Sequence, residues 1–221
     1  VTASYIANKA SVSETALPQT VVSHDVVGNV TLRAHLVVDG IDVDGQLDEP
    51  TYRDIEPAAD FIQQEPNEGL EATERTEAWI LYDADNLYVS ARLWDSAPEK
   101  MVANELRRDS RNIVQNESFA VVLDTFHDRR NGFLFQTNAL GALRDGLITD
   151  ERNANFDWNT VWDVQTSSFE NGWTLEMVIP FKSLRFREKG DQVWGITLHR
   201  FVRWKNEHSF VNPVPASYGL E

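Results

Sequence analysis

The sequence contains no cysteine, only two methionines and far fewer basic than acidic residues, 20 against 35. The absence of cysteine excludes a disulfide framework, a thiolate zinc site and a cysteine nucleophile. The net charge of −15 argues against nucleic acid or an anionic membrane surface as partner, because both require a basic face on the protein. No apolar run approaches the roughly 18 residues of a transmembrane segment. What remains is an acidic globular chain whose ligand is neither nucleic acid nor anionic lipid.

The central part of the chain, Asn116–Asp150, predicts a β-meander. Three apolar or alternating runs, Phe119–Leu123, Phe133–Thr137 and Leu143–Ile148, are separated by short polar segments that contain Gly or Asn. The turns of this stretch concentrate Asp, Arg and Asn residues. We therefore expect it to contribute both to the core and to a binding site.

A hairpin is predicted upstream of the meander, where two strand-like runs flank the turn-forming tetrapeptide Asp83–Asn86. Strands outside the meander are predicted at Leu32–Val38, Ala59–Gln63, Glu77–Tyr82, Leu87–Trp94, Trp162–Thr166, Trp173–Ile179 and Trp194–Trp204. Short helical turns are predicted at Pro50–Arg53, Pro98–Ala103 and Pro180–Leu184. Many short strands without a long amphipathic helix predict an all-β fold, an antiparallel β-sandwich. Residues 1–30 lack periodicity and are interpreted as a leader or linker, and residues 31–221 as one domain.

Five segments, taken in order, resemble the family-9 carbohydrate-binding modules and the related sandwich domains of their superfamily. They are VDGQLDEPTY (Val43–Tyr52), LYDADNLYVSARLWD (Leu81–Asp95), ESFAVVLDTFHD (Glu117–Asp128), NGWTLEMVIPFKSL (Asn171–Leu184) and WGITLHRFVR (Trp194–Arg203). Two further segments, Glu105–Asp109 and Phe126–Glu151, resemble a subgroup of exported bacterial proteins in which such a domain precedes a long outer-membrane β-barrel.

The resemblance implies a jelly-roll-like sandwich without catalytic activity that binds an oligo- or polysaccharide and contains a structural Ca²⁺ ion. It also implies export, with the chain in the periplasm, at the outer membrane or outside the cell. A further implied partner is the chain's own C-terminal outer-membrane barrel.

The sugar clamp of the family is only partly reproduced in this sequence. The two clamp aromatics of the family fall near Val114 and at Phe210, and its Glu and Arg fall on Ala120 and Gln136. Its Asn corresponds to Asn212 or Asn206.

Loop aromatics and polar side chains supply the remaining candidates for a carbohydrate site. Trp158 lies in a polar loop, where burial in a strand does not explain it, and sugars stack on such rings. Gln136 and Asn138 are two residues apart on one strand and therefore share a face. The predicted carbohydrate-binding residues are Trp158, Arg108, Gln136, Asn138, Phe210 and Asn212.

Acidic residues after the meander are candidate Ca²⁺ ligands, because this ion takes six to eight oxygen ligands and irregular loops supply them. The predicted ligands are Asp145, Asp150, Glu151 and Asp157. The arginines near the meander have two interpretations, ion pairs with neighbouring carboxylates or a fork that binds sugar hydroxyls or an anionic sugar.

Three other functions stay open at this level. The domain could be an interaction module that docks onto or gates its barrel without binding sugar. It could process glycosides, which requires two carboxylates on a substrate cleft. The relation of the superfamily to haem-binding sandwich domains adds a Met/His axial pair, with Met101 or Met177 beside His127 or His199.

Overall fold

The computed structural model describes residues 2–5, 23–24, 30–150, 153–187, 192–215 and 217, with residues 2–5 and 23–24 described as backbone only. The strands are β1 (Thr2–Tyr5), β2 (Ser23–His24), β3 (Val30–Arg33), β4 (His35–Leu36), β5 (Ile62–Glu65), β6 (Thr76–Tyr82), β7 (Asn86–Trp94), β8 (Ser118–Asp124), β9 (Gly132–Asn138), β10 (Arg144–Thr149), β11 (Asn153–Asn155), β12 (Asp163–Phe169), β13 (Gly172–Pro180), β14 (Gln192–Val202) and β15 (Glu207–Phe210). The helical segments are one α-helical turn, α1 (Thr51–Asp54), and 3₁₀ turns at Pro98–Lys100, Arg111–Gln115, Phe181–Ser183 and Arg203–Lys205.

The larger of two sheets contains ten of the described strands. Along its centre the order is β11–β10–β9–β8–β14, and all neighbours there are antiparallel. Strand β14 has 11 residues, so its first half pairs with β1 and its second half with β15, which pairs in turn with β5. The predicted meander is confirmed as β8, β9 and β10.

The smaller sheet has the order β12–β13–β7–β6–β4. The predicted hairpin is confirmed as β6 and β7, paired in register from Thr76 and Leu93 to Tyr82 and Leu87. Its turn forms because the Oδ1 atom of Asp83 accepts hydrogen bonds from the backbone N–H groups of residues 85 and 86, both at 2.7 Å.

The core lies between the two sheets and is built from alternate residues of their strands, as period-two patterning requires. Its centre consists of side chains no more than 1% exposed, among them Phe119, Val121 and Leu123 of β8 and Trp173, Leu175, Met177 and Ile179 of β13. The all-β sandwich predicted from the sequence is therefore confirmed.

The loop before α1 covers the outer face of the smaller sheet. Tyr52 donates a hydrogen bond to Oε1 of Glu176 on β13 at 2.7 Å. The other carboxylate oxygen accepts from the backbone N–H groups of Asp44 at 3.0 Å and Gly45 at 2.9 Å. Gly45 has φ +86°, and a Cβ there would stand 2.7 Å from the carbonyl carbon of Thr166. The loop therefore packs closely against this face of the smaller sheet.

Two short strands fall within residues 1–30, which the sequence predicts as a leader or linker. Strand β1 pairs with β14 and β3, and β2 pairs with β3. The predicted domain boundary at residue 30 stays a prediction. None of the helices in the described ranges has the length and apolar character needed to cross a membrane.

Candidate functional site

A row of side chains from five neighbouring strands crosses the outer face of the larger sheet. The strand registers place Arg144 of β10 beside Gln136 of β9, and Gln136 beside Ala120 of β8. They then place Ala120 beside His199 of β14, and His199 beside Phe210 of β15. With strands about 4.8 Å apart, the row spans roughly 19 Å, the length of an oligosaccharide rather than of one ring.

The next row on the same face is less polar and ends at Asn212. The backbone N–H of Val211 donates to the carbonyl of Leu198 at 3.1 Å, so the pairing of β15 with β14 continues past Phe210. Val211 is a core residue, and we infer that its neighbour Asn212 lies on the outer side with Phe210. The other members of this row are half-buried side chains: Leu134, Val122 and Thr197.

Four aromatic rings form a continuous stack on β14 and β15. The ring of His199 lies 4.4 Å from that of Phe210 and 5.2 Å from that of His208, and the ring of Phe201 lies 4.0 Å from that of His208. All three pairs are within 14° of parallel. Burial, together with neighbouring His208, lowers the pKa of His199 to about 3, and burial with the charge of Arg203 lowers the pKa of His208 to about 4. Both imidazoles are therefore neutral at neutral pH.

Two polar side chains at opposite ends of the face have atoms without partners. Gln136 accepts a hydrogen bond from Nη1 of Arg144 at 3.0 Å and donates to Ser118 at 3.3 Å. The guanidinium of Arg144 lies 3.8 Å above the ring of Phe156. The Nε atom of Arg144 and the Oδ1 atom of Asn212 are buried, and neither has a hydrogen-bond partner in the described part of the chain. Both side chains are 9% exposed.

Asn138, which the sequence predicts as a sugar ligand, instead holds the turn after β9. Its amide nitrogen donates to the carbonyl of Glu105 at 2.7 Å and to Oδ1 of Asn116 at 3.2 Å. Its amide oxygen accepts from the N–H groups of Leu140 at 3.0 Å and Ala142 at 3.1 Å. All four hydrogen-bonding positions are thus occupied, so the predicted sugar-binding role of Asn138 is corrected to a structural one.

Trp158 and Arg108 lie away from this face and stabilise the opposite side of the sheet. The Trp158 ring packs on the core, 5.3 Å from the ring of Phe133 and 6.4 Å from that of Phe135. Arg108 donates to the buried carboxylate of Asp145 at 2.5 Å. The predicted site is therefore divided: Gln136, Phe210 and Asn212 share the outer face, and Trp158 and Arg108 contribute to packing elsewhere.

Three of the four predicted calcium ligands, Asp145, Asp150 and Asp157, are within the described residues. The carboxylate of Asp145 is fully buried and accepts from Arg108, from Nε1 of Trp162 at 3.0 Å and from the N–H of Thr160 at 2.9 Å. Asp150 pairs with Arg130 in an exposed turn, Asp157 is exposed, and Glu151 lies outside the described residues. Within the described ranges, no group of three or more His, Asp or Glu side chains is arranged to hold a metal ion. The three described residues do not form a site for the ion, and Ca²⁺ itself stays a prediction.

Three of the arginines near the meander form ion pairs. Arg107, Arg108 and Arg130 each contact a carboxylate, as the ion-pair interpretation expects.

The haem alternative requires a methionine and a histidine close together. Met177 lies in the core on the smaller sheet, whereas His199 lies on the outer face of the larger sheet. This placement separates Met177 from His199, whereas the combinations with Met101 or His127 stay predictions.

Three residues of the outer face are missing from the predicted carbohydrate site: Arg144, His208 and His199, which is predicted only as a haem ligand. Arg144 lies within the predicted run Leu143–Ile148, but only its register beside Gln136 reveals its position. The two histidines meet only because β15 pairs with β14. The sequence around β15 resembles a Pro-rich tail, so no local signal indicated that pairing.

A separate cleft of about 460 Å³ lies on the other sheet, beside α1. Its walls include Tyr52, Glu77, Trp79 and Arg92. Arg92 lies over the ring of Trp79 at 5.7 Å and pairs with Glu77 at 3.7 Å. These side chains satisfy one another across the cleft, which distinguishes it from the outer face of the larger sheet.

Comparison with known proteins adds independent support for the fold and the family. Two structures of a family-9 carbohydrate-binding module from Caldicellulosiruptor kristjanssonii, in complex with glucose and with cellotriose, superpose with TM-scores of 0.52 and 0.53 at 13% and 14% identity. The matches cover 84% of this chain and 89% and 87% of those chains. A Bacteroides uniformis protein matches with a TM-score of 0.54 at 10% identity, over 71% of this chain and 78% of that one.

The curated proteins include no match to this sequence. The model of the family described as "Carbohydrate family 9 binding domain-like" matches residues 43–207, about three quarters of the chain. That span contains β5–β14 and thus four of the five strands of the outer-face row. The chain therefore belongs to the carbohydrate family 9 binding domain-like family.

Proposed function

We propose that this chain is a non-catalytic carbohydrate-binding domain and that the outer face of the larger sheet, from Arg144 to Phe210 and Asn212, is its binding face. The observation that carries the proposal is the pair of unpartnered atoms, Arg144 Nε and Asn212 Oδ1, at opposite ends of one face. A buried polar atom without a hydrogen bond costs about 1–3 kcal/mol. A ligand rich in hydroxyl groups supplies both a donor and an acceptor.

The ring stack gives this face its apolar component. Sugar C–H groups pack on flat rings, and a neutral imidazole ring is less strongly hydrated than a charged one. His199 and His208 are half-buried and carry the accessible part of the stack. The more deeply buried phenyl rings of Phe201 and Phe210 hold the imidazoles in their orientation.

This binding mode differs from the two-tryptophan clamp that the resemblance implies. At the clamp positions the chain has Val114 and Phe210, and the latter is only 8% exposed. We infer that the ligand lies along the row of side chains instead of being held between two rings. An extended ligand then contacts Gln136 near the Arg144 end of the row and Asn212, in the adjacent row, near the other end.

Titration calorimetry against a panel that contains glucose, cellotriose and longer oligosaccharides tests the proposal. We expect affinity to rise with chain length, because the face is longer than one ring. Asn212→Ala should weaken binding about tenfold, the loss of roughly 1.4 kcal/mol of hydrogen bonding. Ser168→Ala, on an exposed position of β12 in the other sheet, is the matched control and should bind as the parent does. Absence of binding to every sugar, or equal affinity of both variants and the parent, contradicts the proposal.

Export, attachment to an outer-membrane barrel and a structural Ca²⁺ ion are further parts of this proposal, which rest on the resemblance. Cell fractionation of the producing bacterium tests the first two, and recovery in the cytoplasm contradicts them. For calcium, a chelator should lower the melting temperature if the ion is bound. An unchanged melting temperature contradicts the proposed Ca²⁺ ion.

A further inference from the structure

Arg144 differs from Arg200, the other buried arginine of the described residues, in having no carboxylate partner. Arg200, which is fully buried, has Glu117 at 3.3 Å and donates to the carbonyl of Arg75 at 2.8 Å. Arg108 pairs with Asp145, and Arg92 with Glu77. Within the described ranges, no carboxylate lies at ion-pair distance from Arg144.

The charged groups near Arg144 compensate little of the positive charge on its guanidinium. Burial lowers its pKa, the carboxylate of Asp109 acts in the opposite direction, and Arg111 adds a second positive charge nearby. Asp109 is itself engaged, because its Oδ1 accepts from the N–H of Asp145 at 3.3 Å and its Oδ2 lies 3.4 Å from Arg108. An unpaired buried charge is among the most expensive features of a protein interior.

The geometry of the guanidinium shows which edge is available. Nη1 is occupied by Gln136, and the ring of Phe156 lies against the flat face at 3.8 Å. Nε makes no hydrogen bond with the described residues, and Nη2 lies on the same edge of the guanidinium. Two parallel N–H donors on one guanidinium edge match the two oxygens of a carboxylate, an arrangement that a neutral hydroxyl cannot reproduce.

We propose that the binding face selects an acidic glycan, with the carboxylate of a uronic acid residue on the Nε/Nη2 edge of Arg144 and the rest of the chain along the row toward His199 and Phe210. The inference rests on the proposed carbohydrate-binding function and names its ligand class. The net charge of −15 does not oppose this at contact distance, because charges farther away than about 8 Å are screened at physiological ionic strength.

Two ligands that differ only in the carboxylate provide the test: cellotetraose and the β-1,4-linked glucuronic acid tetramer, whose backbone linkage is the same. By calorimetry we expect the parent to bind the glucuronic acid tetramer at least tenfold more tightly, the range of one charge-assisted bidentate contact. Arg144→Gln should abolish that difference, and Arg144→Lys should restore only part of it, because lysine keeps the charge but loses the fork. Arg53→Gln, on an exposed position of α1 on the other sheet, removes the same charge and should keep the preference.

The parent alone decides the outcome even if Arg144→Gln fails to fold. Equal affinity for the two tetramers overturns the acidic-glycan inference and leaves the proposed function standing. Binding of neither tetramer nor any sugar of the panel overturns both. A preference that survives in a folded Arg144→Gln variant assigns the carboxylate to another residue and overturns the role of Arg144.

Discussion

The buried carboxyl of Glu176 makes the stability of this domain depend on pH in a predictable direction. Burial is the largest cause that raises its pKa, from 4.5 to about 7, while hydrogen bonds from Tyr52 and from the N–H of Gly45 act in the opposite direction. The folded state therefore holds this proton up to a higher pH than the unfolded state. The contribution to stability is complete below about pH 4.5 and is lost as the pH rises through about 7.

Glu176→Gln isolates this contribution. The amide oxygen can accept from the N–H groups of Asp44 and Gly45, and the amide nitrogen can donate to Tyr52, whose hydroxyl then donates to Ser90 at 2.8 Å. The variant thus imitates the protonated carboxyl at every pH. The full pKa difference corresponds to about 3 kcal/mol, and we expect about 2 kcal/mol because solvent near the covering loop screens part of it.

Urea unfolding of parent and variant at several pH values between 4.5 and 8 measures the effect, and the difference between the two cancels all other titrating groups. The free energy of unfolding of Glu176→Gln should be similar to that of the parent at pH 4.5 and about 2 kcal/mol higher at pH 8. Glu170→Gln, at an exposed position in the turn between β12 and β13, removes the same charge and serves as control. A difference that stays constant across this pH range refutes the reasoning.

Three further predictions concern packing, and thermal or urea unfolding checks each. Asp145→Ala should lower the free energy of unfolding by about 3–4 kcal/mol, because it leaves buried donors unpaired. Asp150→Ala, in an exposed ion pair, should lower it by less than about 1 kcal/mol. Similar losses in the two variants contradict the structural role of Asp145. Gly45→Ala should cost about 2–3 kcal/mol more than Gly40→Ala, since both have positive φ but only the former has backbone within 3 Å of the new Cβ. Trp158→Ala should lower stability by about 3 kcal/mol without weakening glycan binding, and a selective loss of binding would return this residue to the site.

The outer face of the larger sheet shows how far a known family pattern can be carried without the structure. The positions of the family's Glu and Arg, Ala120 and Gln136, do lie side by side on adjacent strands. The positive charge is nevertheless present on the face, supplied by Arg144 from the next strand. A comparison of positions along the sequence does not detect a charge that an adjacent strand supplies instead.

Local patterning determined much of this fold. Alternation of apolar and polar residues identified β6–β10, β13 and most of β14, because a strand with one face in a core needs period two. Asp83 and its neighbours identified the hairpin turn, since a short acidic side chain bonds the N–H groups that follow it. Gln136 and Asn138 were correctly given one face, but alternation alone did not reveal that the latter has every hydrogen-bonding position occupied.

Only the tertiary structure decided which of the candidate residues share a site. Trp158 is in a polar loop by sequence, yet that loop folds back so that the ring meets Phe133, and loop closure of this kind has no local signature. The sequence does not distinguish Asp145 from the other acidic residues, of which the chain has 35 in all. Only its contacts with Trp162 and Arg108 show its structural role. His199 and His208 acquire their stack from the pairing of β14 with β15. The sequence by itself therefore determined the strands and their buried faces, whereas the order of strands across the sheet, which depends on contacts distant along the chain, decided the binding face.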